Sequence, residues 1–297
     1  MKRDKSKYVG VVGLGIMGGA ISKNLIDSGF KVFGFDIDLN QQNKAKLFGV
    51  DIVKSLEEMV ERVDYILTSL PKVEALSSFS KALIQSNKVK NNKILVAELS
   101  TFPISCKNEN YNILRKNNIL MLDCPLSGTG AQALSRDLVV YASGDEESYR
   151  IFENIFKGFS RAQYFLGEYG NGTKMKLIAN LLVHIHNVAA AEAISLGIKG
   201  GLDPSNICEI IGSGAGTSRM FEMRAPMMIK EEYKPATMKI DIWKKDMELI
   251  SDFLISCNSS APTFNAAKEI YTKALQEGLG SEDTAAVYEI IKKLNIK

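Results

Sequence analysis

The first 168 residues alternate. Short apolar segments that read as strands are separated by stretches of helical period, and this rhythm limits the fold more than any other feature of the chain. The strands are read in "YVGVVGLG", "KVFGFD", "VDYILTSL", "KILVAELS", "ILMLDCPLSG" and "LVVYASGD". "MGGAISKNLIDSG" is the first helix, with a glycine stop. Alternation of this kind predicts a mostly parallel sheet covered on both faces. From Gly172 onward the rhythm ends. Residues 173 to 199 hold an unbroken helical period without proline, and the segments beginning at Asp203, Ala236, Pro262 and Ser281 continue in the same manner. The expectation is an α/β fold: a Rossmann-type doubly wound parallel sheet at 1–168, then an all-α domain at 169–297 that opens with a long helix.

"VVGLGIMGGA" gives the first half a chemistry. Gly13-x-Gly15-x-x-Gly18 stands between a strand and a helix, where a glycine loop can cradle a pyrophosphate. Gly13 serves the tight turn, Gly15 the approach of backbone to phosphate, and Gly18 the packing of helix on strand. The helix N-terminus then faces the phosphates. About twenty residues on, the second strand ends in Asp36. A carboxylate there accepts both ribose hydroxyls of NAD. It repels the added phosphate of NADP, since two charges about 4 Å apart cost up to ~4 kcal/mol at an effective dielectric near 20. NAD is the expected cofactor, with NADP disfavoured.

The second half raises a puzzle. Lys174 and Lys176 sit at the start of the long helix, where the backbone carries partial positive charge and cations are mildly disfavoured. At 100° per residue, Asn180 lies 40° from Lys176, and Lys174 lies about 200° away on the opposite face. A partly desolvated lysine near a helix N-terminus has its pKa lowered, which suits a proton donor near neutral pH. Spacing alone leaves two readings open: a catalytic lysine assisted by Asn180, or a snorkelling lysine beside a capping asparagine.

Composition excludes several classes. With 297 residues, 45% of them hydrophobic, the chain can build a sizeable core. The net charge of +3, without a basic stripe, argues against nucleic acid. No signal peptide is read at the N-terminus, and no apolar run is read as reaching the roughly 18 residues of a membrane span. Cys106, Cys124, Cys208 and Cys257 form no CxxC pair and read as free thiols of a cytoplasmic protein. The two histidines, His184 and His186, face apart on a helix, so no metal site is expected.

Taken together, these residues resemble the β-hydroxyacid dehydrogenases, over nearly the whole chain. The family's GLGxMG opening matches Gly13-Leu14-Gly15-Ile16-Met17-Gly18. Its Leu-Pro matches Leu70-Pro71, and its Ser-Thr matches Ser100-Thr101. Its D-x-P-x-S-G stretch matches Asp123 to Gly128, with Ser127 before the glycine. Its lysine motif matches Gly170, Gly172, Lys176 and Asn180, and its late Lys-Asp matches Lys245-Asp246. The resemblance implies hydride transfer between NAD(P) and a small carboxylate-bearing hydroxy acid or semialdehyde. It implies Lys176 as general acid or base, with Asn180 assisting. Ser127, Gly128 and Thr129 would hold the substrate carboxylate, with Ser100 nearby. The glycine loop, Leu70, Pro71, Thr101 and Lys245 would contact the cofactor. By analogy, a homodimer or homotetramer is expected.

The sequence departs from the pattern at Thr129, where glycine is frequent, and at Ala75, where the family has an asparagine. Thr129 could narrow the pocket or add a hydrogen bond. Cys124, beside the presumed pocket, has no histidine near it in sequence to activate it as a nucleophile. Two other functions fit the architecture: an imine reductase, which usually lacks the lysine, and a cofactor-binding module with a dead site, in which the lysine is replaced.

Overall fold

The computed structural model describes residues 7–88 and 93–295. Along the chain come β1 (Tyr8–Val12), α1 (Ile16–Asp27), β2 (Lys31–Phe35), α2 (Leu39–Leu47), β3 (Asp51–Ile52), α3 (Leu56–Arg62), β4 (Tyr65–Thr68) and α4 (Val73–Lys88). Then follow β5 (Leu95–Glu98), α5 (Ile104–Arg115), β6 (Leu120–Asp123), β7 (Leu126–Ser127), α6 (Gly130–Leu134), β8 (Val139–Ala142), α7 (Glu146–Lys157) and β9 (Ala162–Phe165). The helical part contains α8 (Asn171–Lys199), α9 (Pro204–Ser213), α10 (Arg219–Lys230), α11 (Ile240–Ser256), α12 (Pro262–Gln276) and α13 (Val287–Leu294).

The main sheet has the order β3-β2-β1-β4-β5-β6, and every pairing in it is parallel. This is the doubly wound Rossmann arrangement, whose order reverses between β1 and β4. Its strands alternate side chains between two cores, as a period of two requires. Val9, Val11, Leu67, Leu95, Ala97 and Leu122 join one core with Ile21 and Leu25 of α1 and Phe152 and Phe156 of α7. Val12, Ile66, Val96 and Met121 join the other with Met59 of α3, Leu83 of α4 and Leu114 of α5. Helices thus cover both faces, which explains why the strands are apolar on both sides.

Two sequence expectations need correction. "ILMLDCPLSG" is not one strand, and "LVVYASGD" does not extend the main sheet. β6 ends at Asp123, Pro125 interrupts, and β7 begins a second sheet of order β7-β8-β9. Proline has no N–H to continue a ladder. A single bridge, Asp123 to Ser143, connects the end of β6 to the new sheet. β3, β9 and α10 were missed. β3 is only two residues long, and Pro226 lies inside α10. Ser218 caps α10 nonetheless, and Phe221, Arg224, Ala225 and Met228 are buried along it.

The compact units are Met1–Lys176 and Leu177–Lys297, against an expected join at 168/169. The first turns of α8 belong with the α/β unit because they are bonded into it, as described below. The second unit consists of helices and short 3-10 turns. α8 also corrects the reading of apolar runs. Its 29 residues are long and apolar enough to cross a membrane, by length and composition, and 39% of its most apolar window is buried. Asn180, His184 and Asn187 on this helix are buried and make hydrogen bonds within the second unit.

Candidate active site

The glycine loop lies at the carboxyl end of β1, and the Ser69-Leu70-Pro71 turn lies at that of β4. These strands flank the point where strand order reverses, which is where open α/β sheets bind ligands. Gly13 has φ +88°, and a Cβ there would come within 2.1 Å of the Ser69 carbonyl oxygen. A Cβ on Gly18 would lie 1.8 Å from the Gly13 carbonyl oxygen. Both are closed to any side chain. Gly15 is different: a Cβ there meets nothing within 4 Å. Sterics of the chain itself require the outer glycines, whereas the middle one leaves space beside the α1 N-terminus. That space is a cradle of the kind a pyrophosphate fills, so the residues fit a dinucleotide. Leu14 and Met17 face the interior, and Ile16 is exposed beside the loop.

Asp36 does more than end β2. Its Oδ2 accepts the Leu14 N–H at 2.6 Å, and its Oδ1 accepts the Asp38 N–H at 2.8 Å. The carboxylate therefore pins the glycine loop to the β2 end. It is half-buried, and two charge-assisted bonds to backbone fix its direction.

Ser100, just after β5, is bonded on both sides. Its N–H donates to Glu98 Oε1 at 2.8 Å, and its Oγ accepts the Leu70 N–H at 2.9 Å. It thus joins the β4 and β5 turns. Thr101 and Pro71 adjoin it in these turns.

α6, which follows the Ser127-Gly128-Thr129 loop, is bonded to α1: Asn24 Nδ2 donates to the Ala133 carbonyl at 2.6 Å, and Arg136, just beyond α6, donates through Nη2 to the Asn24 carbonyl at 3.3 Å. Ser127 and Gly128 are half-buried. Thr129 is the N-cap of α6, in a reciprocal capping box with Gln132. Its N–H donates to Gln132 Oε1 at 3.0 Å, and its Oγ1 accepts the Gln132 N–H at 3.5 Å. The residue expected to line a pocket therefore also holds a helix end.

Cys124 is fully buried, and burial, reinforced by the Asp123 charge, pushes its thiol well above its ordinary pKa. Both burial and the raised pKa disfavour the thiolate that a nucleophile requires.

The start of α8 is pressed into the first unit. A Cβ on Gly172 would come within 2.2 Å of the Tyr141 carbonyl oxygen. The Gly172 N–H donates to Ser143 Oγ at 2.9 Å. Asp123 Oδ2 accepts the Thr173 N–H, and Oδ1 accepts the Thr173 hydroxyl, both at 2.7 Å. A buried carboxylate thus faces the positive end of the helix. This is why lysines are tolerated there. Lys174 is exposed and donates to Asn171 Oδ1 at 3.0 Å. Lys176 is half-buried, as the helical phase requires.

In the second unit, Asn180 is 4% exposed and donates through Nδ2 to Asp246 Oδ2 at 3.0 Å. Asp246 is the acid of the Lys245-Asp246 pair. Lys245 itself is exposed. His184 Nδ1 lies 2.7 Å from the Asn180 carbonyl oxygen, so Nδ1 carries the proton of the neutral ring. Burial among Trp243, Phe264 and Tyr271 lowers its pKa to about 4. Among the described residues no group of three or more His, Cys, Asp or Glu could hold a metal ion.

Sequence reasoning did not find Glu98, Lys107 or Thr173, and it assigned Asp123 and Asp246 no bonding role. The available signal was a charge at the end of each of two apolar strands, Glu98 and Asp123, because a buried acid requires a partner.

Comparison with known proteins agrees with this geometry. Residues 8–167 match the model of the NAD binding domain of 6-phosphogluconate dehydrogenase. Residues 170–291 match that of the NAD-binding domain of NADP-dependent 3-hydroxyisobutyrate dehydrogenase. An L-threonate dehydrogenase of Cupriavidus necator is 32% identical over 98% of both chains. Glyoxylate/succinic semialdehyde reductase 1 of Arabidopsis thaliana is 30% identical over 96% of this chain and 98% of its own. The crystal structure of a 3-hydroxyisobutyrate dehydrogenase from Salmonella typhimurium superposes with a TM-score of 0.83 at 26% identity, covering 95% of this chain and 99% of that one. With both halves matched and relatives aligned nearly end to end, the chain belongs to the β-hydroxyacid dehydrogenase family of NAD(P)-dependent oxidoreductases.

Proposed function

We propose that this protein is an NAD-preferring dehydrogenase that interconverts a small hydroxy acid and its carbonyl form, with Lys176 as the proton-transferring group. The observation that carries the reading is the contrast on α8. Lys176 is half-buried, two residues from exposed Lys174, on a helix whose first turn is bonded to Asp123. Helix placement of this rigidity suits a group that must meet a reacting oxygen in one geometry.

Gly13, Leu14, Gly15, Ile16, Met17 and Gly18 would hold the pyrophosphate, and Leu70, Pro71, Thr101 and Lys245 would complete the dinucleotide site. When bound, the nicotinamide supplies or takes the hydride. Lys176 Nζ gives a proton to the carbonyl oxygen during reduction and takes it from the hydroxyl during oxidation. With its Nδ2 given to Asp246, Asn180 offers Oδ1 to steady that ammonium. Ser127 and the Gly128 N–H hold the substrate carboxylate, with Ser100 nearby. Thr129 contributes little, because Gln132 occupies both its N–H and its hydroxyl. Asp36, already held by two backbone N–H groups, would accept ribose hydroxyls through its remaining lone pairs. A homodimer or homotetramer in the cytoplasm, acting on a small molecule without nucleic acid or membrane, completes the proposal.

The test is an NADH-oxidation screen of the purified protein against semialdehydes and 2-oxo acids, with L-threonate and 3-hydroxy acids in reverse. Turnover of at least one carboxylate-bearing compound is expected. NAD(H) should exceed NADP(H) by at least ~10-fold in kcat/KM, and Asp36→Ala should narrow the gap. Inactivity across the panel, despite NADH binding, rejects the dehydrogenase reading. Equal use of NADPH rejects the role of Asp36.

A further inference from the structure

The first unit buries three formal charges against one another. Glu98, Lys107 and Asp123 are all 0% exposed. Lys107, on α5, places Nζ 2.7 Å from Asp123 Oδ1 and 2.6 Å from Glu98 Oε2. The Glu98 contact lacks hydrogen-bond alignment and is an ion pair. Burial works against the Lys107 charge, but Asp123 and Glu98 outweigh it and raise its pKa, so the ammonium persists. Burial likewise raises the Glu98 pKa against the opposing pull of Lys107.

Each carboxylate makes further bonds away from Lys107, in opposite directions. Glu98 Oε1 takes the Ser100 N–H, and Ser100 Oγ takes the Leu70 N–H. Asp123 takes the Thr173 N–H and hydroxyl, while Ser143 Oγ lies 3.3 Å from Asp123 Oδ2 and accepts the Gly172 N–H. The result is an unbroken polar path from the turn after β4 to the first turn of α8, three residues before Lys176. Lys107 is its central link.

Stability alone gives a weak account of this cluster. Buried ionic groups seldom outperform well-packed apolar residues of similar volume, since desolvation offsets the Coulomb gain. Direct participation in chemistry is also ruled out, because Lys107 has no exposed atom with which to touch a ligand. What the cluster does have is two ends, and both lie at residues of the candidate site. We propose that Lys107 is a positioning residue that locks the Ser100–Leu70 turn and the first turn of α8, which leads into Lys176, into one geometry. This rests on the dehydrogenase reading given above.

Four amides report on the lock without any turnover: Leu70, Ser100, Gly172 and Thr173. Hydrogen exchange would be followed by mass spectrometry in the wild type, Lys107→Met and Lys107→Arg, together with steady-state kinetics and NADH binding by fluorescence. Lys107→Met is expected to speed exchange at least ~10-fold in peptides covering those four amides, and less than about twofold in peptides from α1 and β2. Its kcat should fall at least ~10-fold, with the NADH dissociation constant within about threefold, because the glycine loop is held separately by Asp36. Lys107→Arg keeps the cation and should recover kcat to within about fivefold. If Lys107→Met does not fold, Glu98→Gln/Lys107→Met, which restores the net buried charge of the cluster, is measured in its place with the same expectation. Faster exchange spread evenly over the first unit overturns the proposal in favour of a purely structural role. Unchanged exchange at the four amides, or kcat within about twofold of wild type in a folded variant, overturns it outright. A wild type that shows no turnover but the expected exchange pattern would defeat the dehydrogenase reading and leave the lock itself intact.

Discussion

Each unit buries an ionic cluster, and the two differ in where their bonds lead. In the second unit Arg224 Nε lies 3.1 Å from Asp283 Oδ1, with side chains 3% and 0% exposed. Asp283 Oδ2 also accepts the Thr237 N–H and hydroxyl and the Met238 N–H, and Oδ1 accepts the Ala285 N–H. Those bonds tie α10, the segment before α11 and the turn before α13 to one another. None of them reaches a residue with a proposed role in the reaction. The Glu98–Lys107–Asp123 cluster is built from the same chemistry, but it ends at Ser100 and at the first turn of α8, three residues before Lys176. A buried charge pair therefore announces neither stability nor function by itself. Its function is read from the groups at its ends.

That contrast breaks most directly at Arg224. Arg224→Met strands Asp283 as a buried carboxylate without its cation, which costs on the order of 3–5 kcal/mol. Denaturant unfolding should show that loss, while kcat per folded molecule stays within about twofold. A large fall in kcat with unchanged stability would erase the distinction between the clusters.

The next effect sharpens it through pH. The second unit keeps His184 neutral: burial lowers its folded pKa to about 4 from the ordinary 6.5. The unfolded chain binds the proton more readily, so stability is complete above pH 6.5 and is lost as pH falls from there toward 4. Between pH 7 and pH 5 this one group should cost about 2 kcal/mol. Comparing unfolding free energies at the two pH values for wild type and His184→Phe checks it. An equal pH dependence in both proteins would show that the buried ring is not the cause.

The smallest effect concerns the substrate loop. Thr129→Ala removes the α6 cap and should lower stability by about 1 kcal/mol. KM for the hydroxy acid should move less than about twofold, in contrast to a clear rise for Ser127→Ala. A rise in KM for Thr129→Ala as large as that for Ser127→Ala would return Thr129 to the pocket.

Much of this was legible in the sequence. The strand–glycine loop–helix order, with Asp36 about twenty residues on, specified the nucleotide-binding half. Helical phase alone separated Lys176 from Lys174. Other parts were hidden for physical reasons. A lysine in a polar helix such as "ISCKNENYNILR" reads as a surface residue, because lysines are almost never fully buried unless paired. Lys107 is paired twice, by acids 9 residues before it and 16 after it along the chain. The capping role of Thr129 was hidden because Gln132 is recognised as its partner only once Gly130 is seen to begin a helix. The second sheet was missed because its strands are short and Pro125 falls within an otherwise continuous apolar run.

The central claim is that Lys176 moves the proton, and side-by-side kinetics with thermal midpoints of Lys176→Ala and Lys174→Ala test it. Removing a positioned acid or base lowers kcat by ~10²–10⁴-fold, so that loss is expected for Lys176→Ala, with a thermal midpoint close to wild type. Lys174→Ala should keep kcat within about twofold, since its side chain is exposed and bonded only to Asn171 nearby. If Lys174→Ala is the inactive variant, or if Lys176→Ala retains near wild-type kcat, the account of this site is wrong.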